Sequence, residues 1–280
     1  MKFDHHGRAA YAYTGSKSFD AARPAVVFIH GAEHDHSVWA LQTRYFAHHG
    51  FGVLALDLPG HGRSAGAPLS TIGALADWVI GVLDAAGVRQ AIFVGHSMGS
   101  LIALDAAARH PERALGLALL ATAAPMTVSA TLLDAAREHE PEAIEMVNQW
   151  SHSTLAAKPS SPAPGFWLQG ANRRLMERVS LLGEALLFHT DFSACNAYAE
   201  ALERAGAVRC PVCVLSGRRD IMTPPRASRP VVEALRKAGA TVQTVELDAG
   251  HAMMTEQPDA TLDTLFAFAL DCARGTRPPA

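Results

Sequence analysis

The chain has 280 residues, enough for one large domain or for a core domain with a substantial insertion. Hydrophobic residues make up 49% and charged residues 18%, which supports a buried core and excludes a disordered chain. A formal net charge of −3, without a Lys/Arg tract, gives no electrostatic basis for binding nucleic acid.

The opening stretch "MKFDHHGRAAYAYTGS" lacks the apolar core of a secretion signal. No later apolar run is long enough to span a bilayer, so a cytoplasmic protein without membrane insertion is expected. Tyr11–Thr14 reads as an antiparallel strand at a sheet edge. Six short apolar runs follow, each ending at a glycine or polar turn: Ala25–Gly31, Phe51–Gly60, Ala91–Ser97, Ala114–Thr122, Pro211–Gly217 and Thr241–Asp248. Helical spacing falls between most of them, at Val38–His49, Ile72–Ala86 and Met98–Arg109, then at Arg229–Ala238 and Asp259–Cys272. Continuous apolar strands alternating with helices predict an α/β fold, with a mostly parallel sheet covered on both faces.

The alternation breaks once, between about Pro125 and Ala205, where helical patches (Thr131–His139, Arg173–Leu187) flank the Pro/Ser-rich stretch Ala156–Gly165. The expected organisation is therefore a core over residues 1–124 and 206–280, interrupted by a helical cap at 125–205. Ligands of open α/β sheets bind beyond the carboxyl ends of the strands, and the insertion leaves from such an end, so a lid is expected there.

"GHSMG", Gly95 to Gly99, fits G-x-S-x-G between the strand ending at Val94 and the helix starting near Met98. A strand that turns this sharply into a helix holds its serine strained, with the hydroxyl exposed; the new helix offers free N–H groups and a positive dipole end. Ser97 is the candidate nucleophile.

These residues closely resemble the α/β-hydrolase family, over nearly the whole chain. "FIHGAEHDHSVW" is similar to the family's His-Gly oxyanion segment and "LDLPGHGRS" to its next strand and loop. "VGHSMG" is similar to the nucleophile elbow, "SGRRDIMTP" to the acid loop and "AGHAMMTEQPD" to the histidine loop. The stretch "DFSACNAYAE" followed by "CPVCVLSGRRD" resembles the esterase and carbon–carbon-bond hydrolase branch. The resemblance implies an α/β-hydrolase fold with a helical cap.

His96 adjoins Ser97, yet neighbouring side chains diverge around a sharp turn, so the base is expected from another loop. His251 follows the strand Thr241–Leu247, and Asp220 follows the strand Pro211–Ser216 through Gly217. The order Ser97, Asp220, His251 is the order of this fold, with His251 as general base and Asp220 as its orienter. Asp248 and Asp57 are rival carboxylates. Met98 and, by the family analogy, Ala32 are the candidate oxyanion donors through their backbone N–H groups. His30 reads as a histidine that shapes the loop.

Four further features have quieter readings. Cys210 and Cys213 spell C-x-x-C, but residues three apart on a strand face opposite ways, which opposes a disulfide. "EHDH", Glu33 to His36, suggests metal ligands, but a hydrolytic site requires more of them. "PGHGRSAG" approximates a dinucleotide fingerprint without the helix that should open at once. Trp39, Met98, Met126, Phe166, Trp167, Met222 and Met253 are candidates to line an apolar pocket.

The expected activity is serine hydrolysis of a small ester or related acyl compound through an acyl-enzyme. No metal or organic cofactor is implied, and the expected partner is a small-molecule substrate with an apolar portion. Carbon–carbon-bond hydrolysis of a diketone, acyl transfer and a ligand-binding receptor without turnover are the alternatives. Haloalkane dehalogenase and epoxide hydrolase are disfavoured, because those branches carry a carboxylate where this chain has Ser97.

Overall fold

The computed structural model describes residues 1–5, 7–154, 156 and 165–275. Its strands are β1 (Lys2–His5), β2 (Arg8–Tyr13), β3 (Ala25–Ile29), β4 (Gly52–Asp57), β5 (Ala91–His96), β6 (Ala114–Leu120), β7 (Val212–Gly217) and β8 (Val242–Leu247). They form one sheet in the order β1-β2-β4-β3-β5-β6-β7-β8. β3 to β8 pair in parallel, while β1 and β2 add an antiparallel margin. The expected strand near Tyr11 is thus present but lies one place in from the edge, which β1 occupies.

The helices are α1 (Ala40–His48), α2 (Ile72–Ala85), α3 (Met98–Arg109), α4 (Ala130–Glu138), α5 (Glu140–Trp150), α6 (Leu168–Leu182), α7 (Leu187–Ala197), α8 (Ala201–Ala207), α9 (Pro225–Lys237), α10 (Met253–Glu256) and α11 (Pro258–Arg274). α2, α3, α8 and α9 pack in a row, α2 on α3, α3 on α8 and α8 on α9; α1 meets α11, which lies against β6. Two buried clusters result, one from each set of sheet-facing side chains. In one of them Phe28, Trp39 and Phe46 are fully buried with Phe28 against both rings. Burial of one such side chain is worth roughly 1.5–3 kcal/mol.

Among the described residues, five helices lie between β6 and β7. Ser129 caps α4 by accepting the Leu132 amide at 3.3 Å. The expected helix Arg173–Leu187 divides into α6 and α7, because α6 ends at Gly183, whose extended backbone breaks the run. α8 packs on α3 and α9 of the sheet layer, so the last helix of the insertion joins the core. Most of the Ala156–Gly165 stretch lies outside the described residues, as does His6. No helix among the described residues is long and apolar enough to cross a membrane.

Candidate active site

The parallel strands end level with one another. Ile29 is in register with Gly95, Leu120 with His96, Leu215 with Leu120, and Gly217 with Leu247. The residues singled out in the sequence leave this rim at once: Ala32 follows β3, Ser97 follows β5, Asp220 follows β7 and His251 follows β8. Ala32, Ser97 and His251 line one cavity of about 340 Å³.

Ser97 has φ +53° and ψ −120°, a conformation that costs a non-glycine residue on the order of 1–3 kcal/mol. Its amide donates to Leu120 O at 2.9 Å, which helps hold the turn. The flanking glycines have a steric cause: a Cβ on Gly99 would meet the carbonyls of Ile29 and His30, and one on Gly95 would meet Gly99 O. Met98 opens α3, so its amide has no intrahelical acceptor.

The Asp220 carboxylate is buried and fully occupied. Oδ1 accepts from the amides of Met222 at 2.8 Å and Thr223 at 2.9 Å; Oδ2 accepts from Thr223 Oγ1 at 2.7 Å and His251 Nδ1 at 2.8 Å. Burial alone would raise its pKa, but the charge and hydrogen bond of His251, with the bonds from Thr223, bring it down to about 2. An ionised carboxylate only accepts, so Nδ1–H of His251 is the donor in their bond, and Nε2 is left on the far side of the ring from Asp220. Asp248 instead pairs with Arg219 at the surface, and Asp57 accepts from His36 and the Arg63 amide.

His96 has a role that its position in the sequence did not announce. Its ring lies 4.8 Å from that of His251, and Nε2–H donates to His251 O at 2.9 Å. Burial, then the neighbouring His251, keeps its pKa well below the ordinary value. His96 braces the backbone of the candidate base.

The loop after β3 is fixed from several sides. His30 donates through Nδ1 to Gly31 O at 2.8 Å and accepts from the Leu58 amide through Nε2 at 3.1 Å. Both bonds define a neutral tautomer, in keeping with a pKa that burial lowers well below the usual range. Carbonyl and amide point opposite ways in a trans peptide, so this hold on Gly31 O also sets the direction of the Ala32 N–H.

Of the proposed pocket residues, Met126 and Met222 line the cavity, whereas Trp39, Met98 and Met253 belong to the buried core. Phe166 and Trp167 are exposed and do not line it. Leu132, Trp150, Phe192 and Cys195, from α4, α5 and α7, complete an apolar roof. His251 is the one ionisable side chain among the described lining residues apart from the Cys195 thiol, which burial pushes up.

Cys210 and Cys213 are free thiols, both pushed up to about 12 by burial and then by Cys272. Asp35, His36 and Asp57 bring potential ligand atoms within 4.8 Å, but these atoms already bond within the protein. Asp57 Oδ1 accepts from His36, and Asp35 accepts from Ser37 and Arg178. After the turn at Gly60–Gly66 the next helix begins at Ile72, away from where a dinucleotide fingerprint requires it.

A model of the alpha/beta hydrolase fold matches residues 24–258. The chain belongs to the α/β-hydrolase family. It is 32% identical to a pimeloyl-[acyl-carrier protein] methyl ester esterase of Chromobacterium violaceum, over 77% of this chain and 83% of that protein. It is 38% identical to a putative non-heme haloperoxidase of Mycobacterium phage D29 over 100 residues, 35% of this chain and 36% of that protein. An epoxide hydrolase of Caballeronia sordidicola is 37% identical over 99 residues, 33% of this chain and 29% of that protein. Among solved structures, the enol-lactonase of Burkholderia xenovorans LB400 superposes with a TM-score of 0.82 at 24% identity, over 96% of this chain and 100% of that one. That likeness is one of fold. The chain is a hydrolase of the α/β fold.

Proposed function

We propose that this hydrolase cleaves a small, uncharged ester or related acyl compound by way of a Ser97 acyl-enzyme. The observation that carries the reading is the buried Asp220–His251 hydrogen bond of 2.8 Å, ending on the cavity that also holds Ser97.

His251 Nε2 takes the Ser97 proton as Oγ attacks the acyl carbon, and Asp220 stabilises the imidazolium that forms. The amides of Ala32 and Met98 receive the developing oxyanion; one such donor is worth on the order of 3 kcal/mol of barrier. Collapse expels the alcohol with the proton from His251. Water, deprotonated by the same imidazole, then attacks the acyl-enzyme and restores the Ser97 hydroxyl. Ser97 in place of a carboxylate separates this chemistry from that of the epoxide-hydrolase relatives.

The lining supports this substrate class. A cavity of about 340 Å³ with an apolar roof and no Lys or Arg among its described lining residues suits a neutral acyl chain better than a carboxylate-bearing one. Ser97→Ala is expected to abolish turnover of an activated short-chain ester while leaving the thermal unfolding transition in place. Undiminished turnover by that variant, or labelling by a fluorophosphonate probe at a residue other than Ser97, overturns the reading.

A further inference from the structure

Both polar groups of the peptide that joins Ala32 to Glu33 are held, and the inserted helices reach both holds. The Glu33 amide donates to Asp191 Oδ2, on α7, at 3.0 Å. The Ala32 carbonyl accepts from His34 Nδ1 at 2.7 Å, and the far side of that ring, Nε2, meets Asn172 Oδ1, on α6, at 2.9 Å. Asn172 in turn donates to Asn148 Oδ1 on α5 at 3.1 Å. One residue further on, Asp35 pairs with Arg178 of α6 at 2.6 Å. Three consecutive loop residues are thus each tied to the insertion.

The Asp191 hold is built rather than incidental. Asp191 is buried, and its Oδ2 also accepts from His61 Nε2 at 2.9 Å, while His61 Nδ1 faces Pro59 O at 3.1 Å. Both ring nitrogens of His61 face acceptors, which only the protonated ring satisfies. Burial opposes that charge, but the Asp191 carboxylate outweighs it and raises the His61 pKa. The loop needs such a hold, because Glu33 has φ +53°, in the left-handed region that non-glycine residues avoid. Released, the peptide would relax and turn the adjacent Ala32 unit with it.

We propose that Asp191, seconded by Asn172, is a positioning residue for the oxyanion loop, fixing from the inserted helices the peptide that follows Ala32. This rests on the serine-hydrolase reading above. Removal of the hold acts on the transition state, since it misdirects a donor to the oxyanion and leaves the apolar acyl site alone.

The test compares Asp191→Ala with Asp191→Asn on an activated short-chain ester, with Ser97→Ala in parallel. An aryl trifluoromethyl ketone, which forms an oxyanion adduct with an active serine, serves as probe. Asp191→Ala is expected to lower kcat about 10- to 100-fold with KM within about threefold, and to weaken the ketone by the same factor as kcat. Asp191→Asn, which keeps an oxygen for the Glu33 amide, is expected to recover most of both. A folded Asp191→Ala enzyme with unchanged kcat and ketone affinity overturns the proposal, as does an Asn variant as impaired as the Ala variant. Should Asp191→Ala not fold, Asn172→Ala decides: a fall in kcat of about three- to tenfold at steady KM supports the proposal, and no fall overturns it. Turnover that survives Ser97→Ala overturns the serine reading itself, whereas a dead Ser97→Ala beside an unaffected Asp191→Ala overturns the present inference alone.

Discussion

On the floor of the cavity lie Ser97 and His251, with Asp220 bonded behind His251, and each of the three leaves a strand of one sheet within a few residues; on its roof, Leu132, Trp150, Phe192 and Cys195 come from three helices of one insertion. The floor inherits its geometry from strand register, which fixes many backbone positions together. The roof has no such lattice and depends on how one helix packs on the next. A polar, hydrogen-bonded floor therefore faces an apolar roof, and the proposed division of labour follows: chemistry below, choice of acyl chain above.

The sharpest way to break that division is Asp220→Asn. The amide no longer enforces the Nδ1–H tautomer, and kcat is expected to fall on the order of 10³- to 10⁴-fold in steady-state assays, with little change in KM. The same residue carries a linkage prediction. Its pKa is depressed to about 2, below its unfolded value, so the ionised group stabilises the fold above about pH 4, and that contribution is lost as pH falls through 2. The depression corresponds to about 2 kcal/mol. Melting curves of wild type and Asp220→Asn should converge towards pH 2; a gap that stays constant with pH refutes this account.

The roof is tested by Trp150→Ala. Widening an apolar wall is expected to shift preference towards longer acyl chains about tenfold, read as the ratio of kcat/KM for octanoyl and acetyl esters. Turnover of the acetyl ester should persist, because no group on the floor has changed. An unaltered ratio would mean that the roof does not select the chain.

The same contrast explains what could be read from the amino-acid order. Apolar runs such as Val26–Ile29 and Ile92–Val94 mark buried strands, and the loops after them bring forward Ser97, Asp220 and His251. The Gly95 and Gly99 pattern has a local steric cause, so it is visible locally. His96 brace, Asp191 hold and Phe192 lining are not, because each is defined by a partner far along the chain: Glu33 and Asp191 are 158 residues apart. Phe166 and Trp167 have the composition of pocket residues but stand exposed, since composition does not say which way a helix end faces. The edge strand β1 is short and polar, with one of its four residues buried, so it lacks the apolar signal that marked the others.

Glu33 lies where floor and roof meet, and it supplies the mildest test. Its carboxyl is fully buried, with no hydrogen-bond partner for either oxygen among the described residues. Burial, then the charges of Asp191 and Glu140, raise its pKa to about 9. The folded protein keeps this proton while the unfolded chain releases it near its ordinary value of about 4.3. The sign is therefore opposite to that of Asp220: stability drains away as pH rises from about 4 to 9, and is whole below that window. Glu33→Gln removes the titration, so the variant is expected to be the more stable of the two near pH 8. The gain should shrink as pH falls towards 4, in differential scanning measurements across that range. A stabilisation that ignores pH would mean that Glu33 is not held as the neutral acid, and that the roof does not close over the floor's loop as tightly as the buried carboxyl implies.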